Sequence, residues 1–67
     1  MSIYSDWQVT VWKERDRLHI HLFDGDENNT IADWWDDDAR EMIEDGFFDP
    51  RNMADSVIRY AIEMKLA

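Results

Sequence analysis

The sequence predicts an α+β fold in which an antiparallel β-hairpin, with a third short strand left open, packs against two C-terminal α-helices. Apolar and polar residues alternate in the first third of the chain, as in half-buried strands. Apolar residues recur at helical spacing in the second half. At 67 residues, the chain is expected to form one small domain over residues 1–67.

The hairpin is predicted from two alternating runs, residues 7–12 and 18–23, separated by the polar run 13–17. Because side chains alternate across a strand, every second residue of each run lies on one face. The apolar residues expected on that face are Trp7, Val9, Val11, Leu18, Ile20 and Leu22. A polar run between two such strands is typical of a hairpin turn.

Residues 24–29 (Asp-Gly-Asp-Glu-Asn-Asn) are turn formers and end the second strand. The opening D-x-D-x-N of this loop resembles the start of a calcium loop. However, Asn29 stands where the glycine belongs and Trp35 where the bidentate glutamate belongs. A turn is therefore favoured over an ion site. Residues 30–35 fit either a third strand or the first turn of a helix capped at Asn29 or Thr30.

A helix is predicted from Asp36 onward, with Asp36 as the N-cap and two further acids in the first turn, where the helix dipole favours carboxylates. Gly46 is placed as the C-terminal cap. The apolar stripe expected to face the core consists of Trp35, Ala39, Met42 and Ile43.

A second helix is predicted to open at Asp49-Pro50, because proline suits the first helical turn. Phe47 and Phe48 are expected to anchor the connection between the two helices. The apolar stripe of the second helix consists of Ala54, Val57, Ile58, Ala61 and Met64.

Composition excludes several classes of protein. Hydrophobic residues make up 45% of the chain and nine residues are aromatic, which argues against disorder. A net charge of −9 excludes a basic nucleic-acid binder and disfavours anionic membranes. The absence of cysteine excludes disulfides and thiolate metal sites. With no signal-peptide pattern and no long apolar run, the protein is expected to be soluble and cytoplasmic.

The acidity is concentrated in the middle of the chain. Residues 24–49 contain eleven acids and one base, Arg40, whereas the other 41 residues are almost balanced. On a helix, Asp33, Asp37, Glu41 and Glu44 or Asp45 would recur about every 6 Å along one side. Such a row resembles a phosphate backbone and would attract the basic groove of a nucleic-acid-binding protein. A solvated helix face and adaptation to high salt are the alternatives.

Other candidate sites are weaker. His19 and His21 share one face of a strand, as two zinc ligands would, but no third ligand has a compelling spacing. Pairing beside aromatic residues such as Trp12 is the favoured interpretation. Trp34 and Trp35 are adjacent, so one is expected to pack inward and the other to lie beside the acids. No catalytic arrangement is recognisable, and neither an enzyme nor a cofactor or metal is predicted.

One segment resembles a known group. Residues 32–40, with the pattern A-D-W-x-D-D-x-A-R, are similar to an acidic helix in phage-encoded anti-CRISPR proteins of the DNA-mimic type. In that group an acidic face occupies the DNA-binding surface of a CRISPR surveillance complex. The resemblance covers about nine residues and implies that Asp33, Asp36, Asp37 and Asp38 contact the target.

The leading hypothesis is an inhibitor that blocks a nucleic-acid-binding complex by mimicking the charge of DNA. The alternative is a small protein–protein adaptor that binds through exposed aromatic residues, with acidity serving solubility. A divalent-metal binder is a third class. The residues expected to contact a partner are Asp33, Trp34, Asp36, Asp37, Asp38, Glu41, Glu44 and Asp45.

Overall fold

The structure, a computed structural model, describes residues 6–66. The expectation that the chain starts without a signal peptide concerns N-terminal residues that lie partly outside this range. Three strands form an antiparallel sheet in the order β1-β2-β3, and two helices follow. The elements are β1 (Trp7–Glu14), β2 (Arg17–Asp24), β3 (Thr30–Trp35), α1 (Asp37–Glu44) and α2 (Met53–Glu63). The predicted α+β class is confirmed.

The predicted hairpin is confirmed, with a shorter turn than the polar run suggested. Glu14 pairs with Arg17, which leaves only Arg15 and Asp16 in the loop. Arg15 has a φ of +59°, the left-handed conformation that tight two-residue hairpin turns require. Lys13 is therefore a strand residue, paired with Leu18.

Residues 30–35 form a strand, which resolves the ambiguity of the sequence. Trp34 pairs with Ile20 and Trp35 with His19, so the two tryptophans lie on opposite faces of the sheet. A chain reversal at Asp36, where φ is +50°, separates this strand from α1. The prediction that Trp35 belongs to the buried stripe of α1 is wrong, because Trp35 is a strand residue and 48% exposed.

Asp36 occupies the N-cap position of α1 as predicted, but its side chain makes no capping hydrogen bond. Its Oδ2 atom lies 3.9 Å from Nε of Arg17 instead. Its backbone N–H donates to the carbonyl of Leu18 at 2.7 Å and ties the start of α1 to β2. Asp36 is therefore the N-cap residue of α1, as predicted, but the prediction that its side chain caps the helix is wrong.

The C-terminal end of α1 confirms the predicted cap. Gly46 has a φ of +83°. Its N–H donates to the carbonyl of Ile43, and the N–H of Phe47 donates to the carbonyl of Met42 at 3.0 Å. These two bonds are the Schellman motif, which satisfies carbonyls that the helix leaves free.

The second helix begins at Met53, later than predicted. Asp49 accepts hydrogen bonds from the N–H of Arg51 and of Asn52, so Pro50 lies in a turn before the helix. Phe48 is buried, whereas Phe47 is 54% exposed, so only one of the two predicted anchors packs in the core. The predicted stripe of α2 is right for Val57, Ile58 and Ala61 and wrong for two residues that are exposed, Ala54 and Met64.

The core lies between the helices and one face of the sheet. Ile20 and Leu22 of β2 pack with Phe48 and Val57, all fully buried. In the described part of the chain both helices pack on this side. We call the other side the open face. Its residues are Gln8, Thr10, Trp12, Glu14, Arg17, His19, His21, Phe23, Asp33 and Trp35.

Candidate functional site

Five acids share the solvent side of α1. Ala39, Met42 and Ile43 turn toward the core, and at 3.6 residues per turn the remaining positions point outward. All five carboxylates are exposed. We call them the α1 acids: Asp37, Asp38, Glu41, Glu44 and Asp45.

The α1 acids are not neutralised by neighbouring bases. Within residues 6–66 the ion pairs are Arg17–Asp36 and Asp55–Arg59, and neither includes an α1 acid. Arg40, the one base of the helix, donates a hydrogen bond to the backbone carbonyl of Asp16 in the hairpin turn. The outer side of α1 therefore presents five carboxylates, none of which is ion-paired among the described residues.

The charge density of this helix is close to that of a nucleic acid. From Asp37 to Asp45 the axis rises about 12 Å, at about 1.5 Å per residue. Five carboxylates over this length place one charge about every 3 Å. DNA carries one charge per about 1.7 Å of axis for both strands and per about 3.4 Å for one strand.

Trp34 lies beside these acids as well as in the core. Its ring makes edge-to-face contacts with Phe48 and Tyr60, at centroid distances of 4.9 and 6.1 Å. It also lines a shallow pocket of about 330 Å³ together with Asp38, Glu41, Met42 and Asp45. Truncating Trp34 would therefore disturb the core and any contact made at the pocket.

The structure separates two predicted contact residues from the α1 acids. Asp33 lies on the open face, paired across the strands with His21. Asp36 is half-buried, and its Oδ1 atom is enclosed without a hydrogen-bond partner. Of the eight predicted residues, the structure brings together the α1 acids and Trp34.

The two histidines lie side by side on the open face, as predicted. The His19 ring stacks on Trp35 at 3.5 Å and meets Trp12 edge-on at 4.0 Å. His21 Nε2 shares a hydrogen bond with Thr30 Oγ1 at 2.7 Å. Across residues 6–66, no group of three or more His, Cys, Asp or Glu residues is arranged to hold a metal ion.

The loop that resembles a calcium site is organised by its own hydrogen bonds. Asp26 Oδ1 accepts from the N–H of Asn28 at 2.9 Å, and the Asp26 carbonyl accepts from the N–H of Asn29. The N–H of Gly25 donates to the carbonyl of Asp6. Its polar residues thus form the turn between β2 and β3.

No protein-family model, curated protein or solved structure matches this chain. Within residues 6–66, no helix combines the length and the apolar character needed to cross a membrane.

Sequence reasoning placed the two histidines beside Trp12 and missed that Trp35 joins them on the open face. Trp12 and Trp35 are 43% and 48% exposed there, and they lie close together although 23 positions separate them in the chain. The available signal was β2, in which His19, His21 and Phe23, whose rings can all pack, alternate with an aliphatic set. Side chains able to pack on both faces of a strand indicate that both faces make contacts.

Glu41→Gln is expected to stabilise the protein by about 0.5 kcal/mol at low salt. Glu41 has a like charge four residues before it, at Asp37, and four residues after it, at Asp45, and each such pair is destabilising by about 0.2–0.5 kcal/mol. Urea denaturation at low and high salt measures the change. Glu63→Gln is the control. Glu63 follows the opposite charge of Arg59 by four residues, so this variant should not gain stability. A loss of stability in Glu41→Gln would contradict the repulsion.

His19 is expected to make stability depend on pH. Burial lowers the pKa of its ring. The negative charge of Asp33 acts in the opposite direction, and the charge of His21 lowers the pKa further. The folded state therefore favours the neutral ring, so stability is fully present above the unfolded pKa of about 6.5 and is lost as the pH falls toward the folded value. The thermal midpoint of the protein should fall, relative to that of His19→Phe, between about pH 8 and about pH 5. Parallel curves for the two proteins would contradict this expectation.

Proposed function

We propose that the protein inhibits a nucleic-acid-binding complex by occupying its basic groove with the acidic side of α1. The observation that carries this proposal is the set of five exposed α1 acids with no ion-paired base in the described part of the chain. A helix that serves only solubility gains from mixed signs, since opposite charges four residues apart stabilise it. This helix instead carries repulsion between like charges.

The shape of α1 also suits this role. The helix is short and carries negative charge at a spacing between those of single-stranded and double-stranded DNA. A target that holds DNA with lysine and arginine would bind such a surface without reading any sequence. The target proposed from the resemblance of residues 32–40 is a CRISPR surveillance complex in the cytoplasm of a host cell.

Capture at two salt concentrations tests the proposal. The immobilised protein is incubated with bacterial lysate at about 50 mM and about 500 mM NaCl, and bound proteins are then eluted with duplex DNA. We expect basic nucleic-acid-binding proteins at low salt only, and we expect duplex DNA to displace them. Capture that ignores salt and is not displaced by DNA would refute charge mimicry.

The CRISPR target has its own test. Cells that carry an active CRISPR system reject a plasmid bearing a matching target sequence. Expression of the protein should restore transformation by that plasmid without changing transformation by a plasmid that lacks the target. Unchanged rejection, combined with salt-sensitive capture of another basic complex, would retain charge mimicry and reject this target.

A further inference from the structure

The helix side of the sheet is not fully covered near the hairpin turn. Val9, Val11 and Lys13 share the face of β1 on which the helices pack, because alternate residues of a strand lie on one face. Val11 is nevertheless 44% exposed, whereas Leu18, on the same side of β2, is buried. An apolar side chain that faces the core layer therefore remains in contact with solvent.

This uncovered corner is a groove of about 540 Å³ between the hairpin and the two helices. We call it the hairpin groove. Its volume lies in the range of about 300–1,000 Å³ that is typical of small-molecule sites, which are also mostly apolar. Both strands of the hairpin, both helices and the connection between the helices supply apolar residues to it. These residues are Val11, Leu18, Ile43, Pro50 and Met53.

Two bases and one acid line the hairpin groove. Arg40 donates a hydrogen bond to the backbone carbonyl of Asp16, which orients the guanidinium without neutralising its charge. Lys13 forms no ion pair among the described residues. The acid is Glu44, which is not ion-paired with either base in the described part of the chain. Positive charge therefore exceeds negative charge here, in a protein whose net charge is −9.

Other clefts of the protein have a different charge. Three further clefts on the described surface have at least as many acids as bases in their linings. The hairpin groove thus combines an apolar lining with a local excess of positive charge. A ligand that matches both properties has an apolar body and an anionic head.

We propose that the hairpin groove binds a small amphipathic carboxylate of the class of medium-chain fatty acids. The aliphatic chain lies against the apolar residues of the groove, and the carboxylate is turned toward Lys13 and Arg40. Arginine has five N–H donors, so Arg40 keeps donors for a carboxylate while it holds the carbonyl of Asp16. This site does not rest on the proposed inhibitory function.

The size and charge of the groove favour this ligand over other occupants. A specific protein interface uses about 20–30 residues on each side, whereas eight residues line this groove. A cationic head group would meet Lys13 and Arg40 as like charges. Repulsion of the carboxylate by more distant acids is limited, because screening at physiological salt acts over about 8 Å.

Titration of the whole chain with decanoate, a saturated medium-chain carboxylate, tests the proposal at up to about 2 mM ligand and about 150 mM salt. Amide NMR spectra of isotope-labelled protein show where the ligand binds. We expect a dissociation constant of about 0.1–0.5 mM, with the largest shift changes at Val11, Leu18 and Ile43. Decyltrimethylammonium has the same alkyl chain and a cationic head, and should bind in this groove at least about tenfold more weakly.

Two pairs of variants examine the charged and the apolar part of the groove. Lys13→Gln should weaken decanoate binding about threefold, whereas Lys65→Gln makes the same change in charge at a lysine that does not line the groove and should have no effect. Val11→Glu should weaken binding at least about tenfold, because it puts a carboxylate where the ligand lies. Its control is Gln8→Glu, which adds the same charge to the other face of β1. Circular dichroism verifies the fold of each variant.

Several outcomes would overturn the proposal. No shift changes in the groove at about 2 mM decanoate would refute the site, and so would equal binding of the cationic probe there. Equal losses in folded Val11→Glu and Gln8→Glu would refute the placement of the ligand. Tighter binding of an acetylated leucine peptide with a free C-terminal carboxylate would assign the groove to a peptide end instead. Shift changes at the same residues on raising the protein concentration alone would assign it to a second copy.

Discussion

Reversing three of the α1 acids, with Asp37→Lys, Asp38→Lys and Glu41→Lys, should lower the affinity for a basic target at least about a hundredfold. The substitutions remove three attractive contacts and put lysine against the lysine and arginine of the target. Like charges brought together at an interface cost several kcal/mol, and about 1.4 kcal/mol corresponds to a tenfold change. Binding of the purified target, measured by titration at about 100 mM salt, gives the change directly.

A matched variant separates position from net charge. Asp24→Lys, Asp26→Lys and Glu27→Lys change the net charge of the protein by the same amount, but they lie in the β2–β3 loop. If the acidic side of α1 is the contact surface, this loop variant should lose much less affinity than the helix variant. Equal losses would show that total charge matters and that α1 has no special role. A folded helix variant with full affinity would refute the proposed contact.

Phe48→Ala is expected to destabilise the protein by about 3–5 kcal/mol. The Phe48 ring is 1% exposed and meets Trp34 at 4.9 Å and Tyr60 at 5.6 Å. Its loss leaves a cavity where β3 and the connection between the helices meet. Because a core of this size rarely supplies more than about 3–5 kcal/mol, a large fraction of the variant should be unfolded at 25 °C. Urea denaturation followed by circular dichroism measures the loss.

The neighbouring residue supplies the control for this prediction. Phe47→Ala removes the same ring at an adjacent position, but Phe47 is 54% exposed. Its edge-to-face contact with Tyr60, at 5.5 Å, is the only ring contact it makes among the described residues. We expect a loss of no more than about 1 kcal/mol. Similar losses for the two variants would contradict the division into a buried and an exposed phenylalanine.

Parts of the fold could be predicted because their signals are local. The alternation in residues 7–12 and 18–23 predicted the hairpin, and Gly46 predicted the end of α1. In each case the residues that determine the structure are neighbours in the chain. The start of α2 was misplaced because Asp49-Pro50 fits a turn as well as a first helical position. The hydrogen bonds that Asp49 accepts decide in favour of the turn.

The candidate site was predicted in part. The acidic row over residues 33–45 held only for the helical alternative of residues 30–35, whereas Asp33 belongs to β3 and faces the other side of the sheet. Asp36 lies at the reversal between strand and helix and is drawn toward Arg17. The α1 acids remain together because they lie within about two helical turns, where the spacing alone places them on one side.

By itself, the sequence determined the α+β class and the concentration of acids between Asp24 and Asp49, because periodicity and charge are properties of neighbouring residues. Only the tertiary structure decided which acids share a surface with Trp34 and which lie behind the sheet. Only strand pairing brought Trp12, His19 and Trp35 into one cluster. The physical reason is that sheet register joins residues far apart in the chain, and one-residue alternation then assigns each of them to a face.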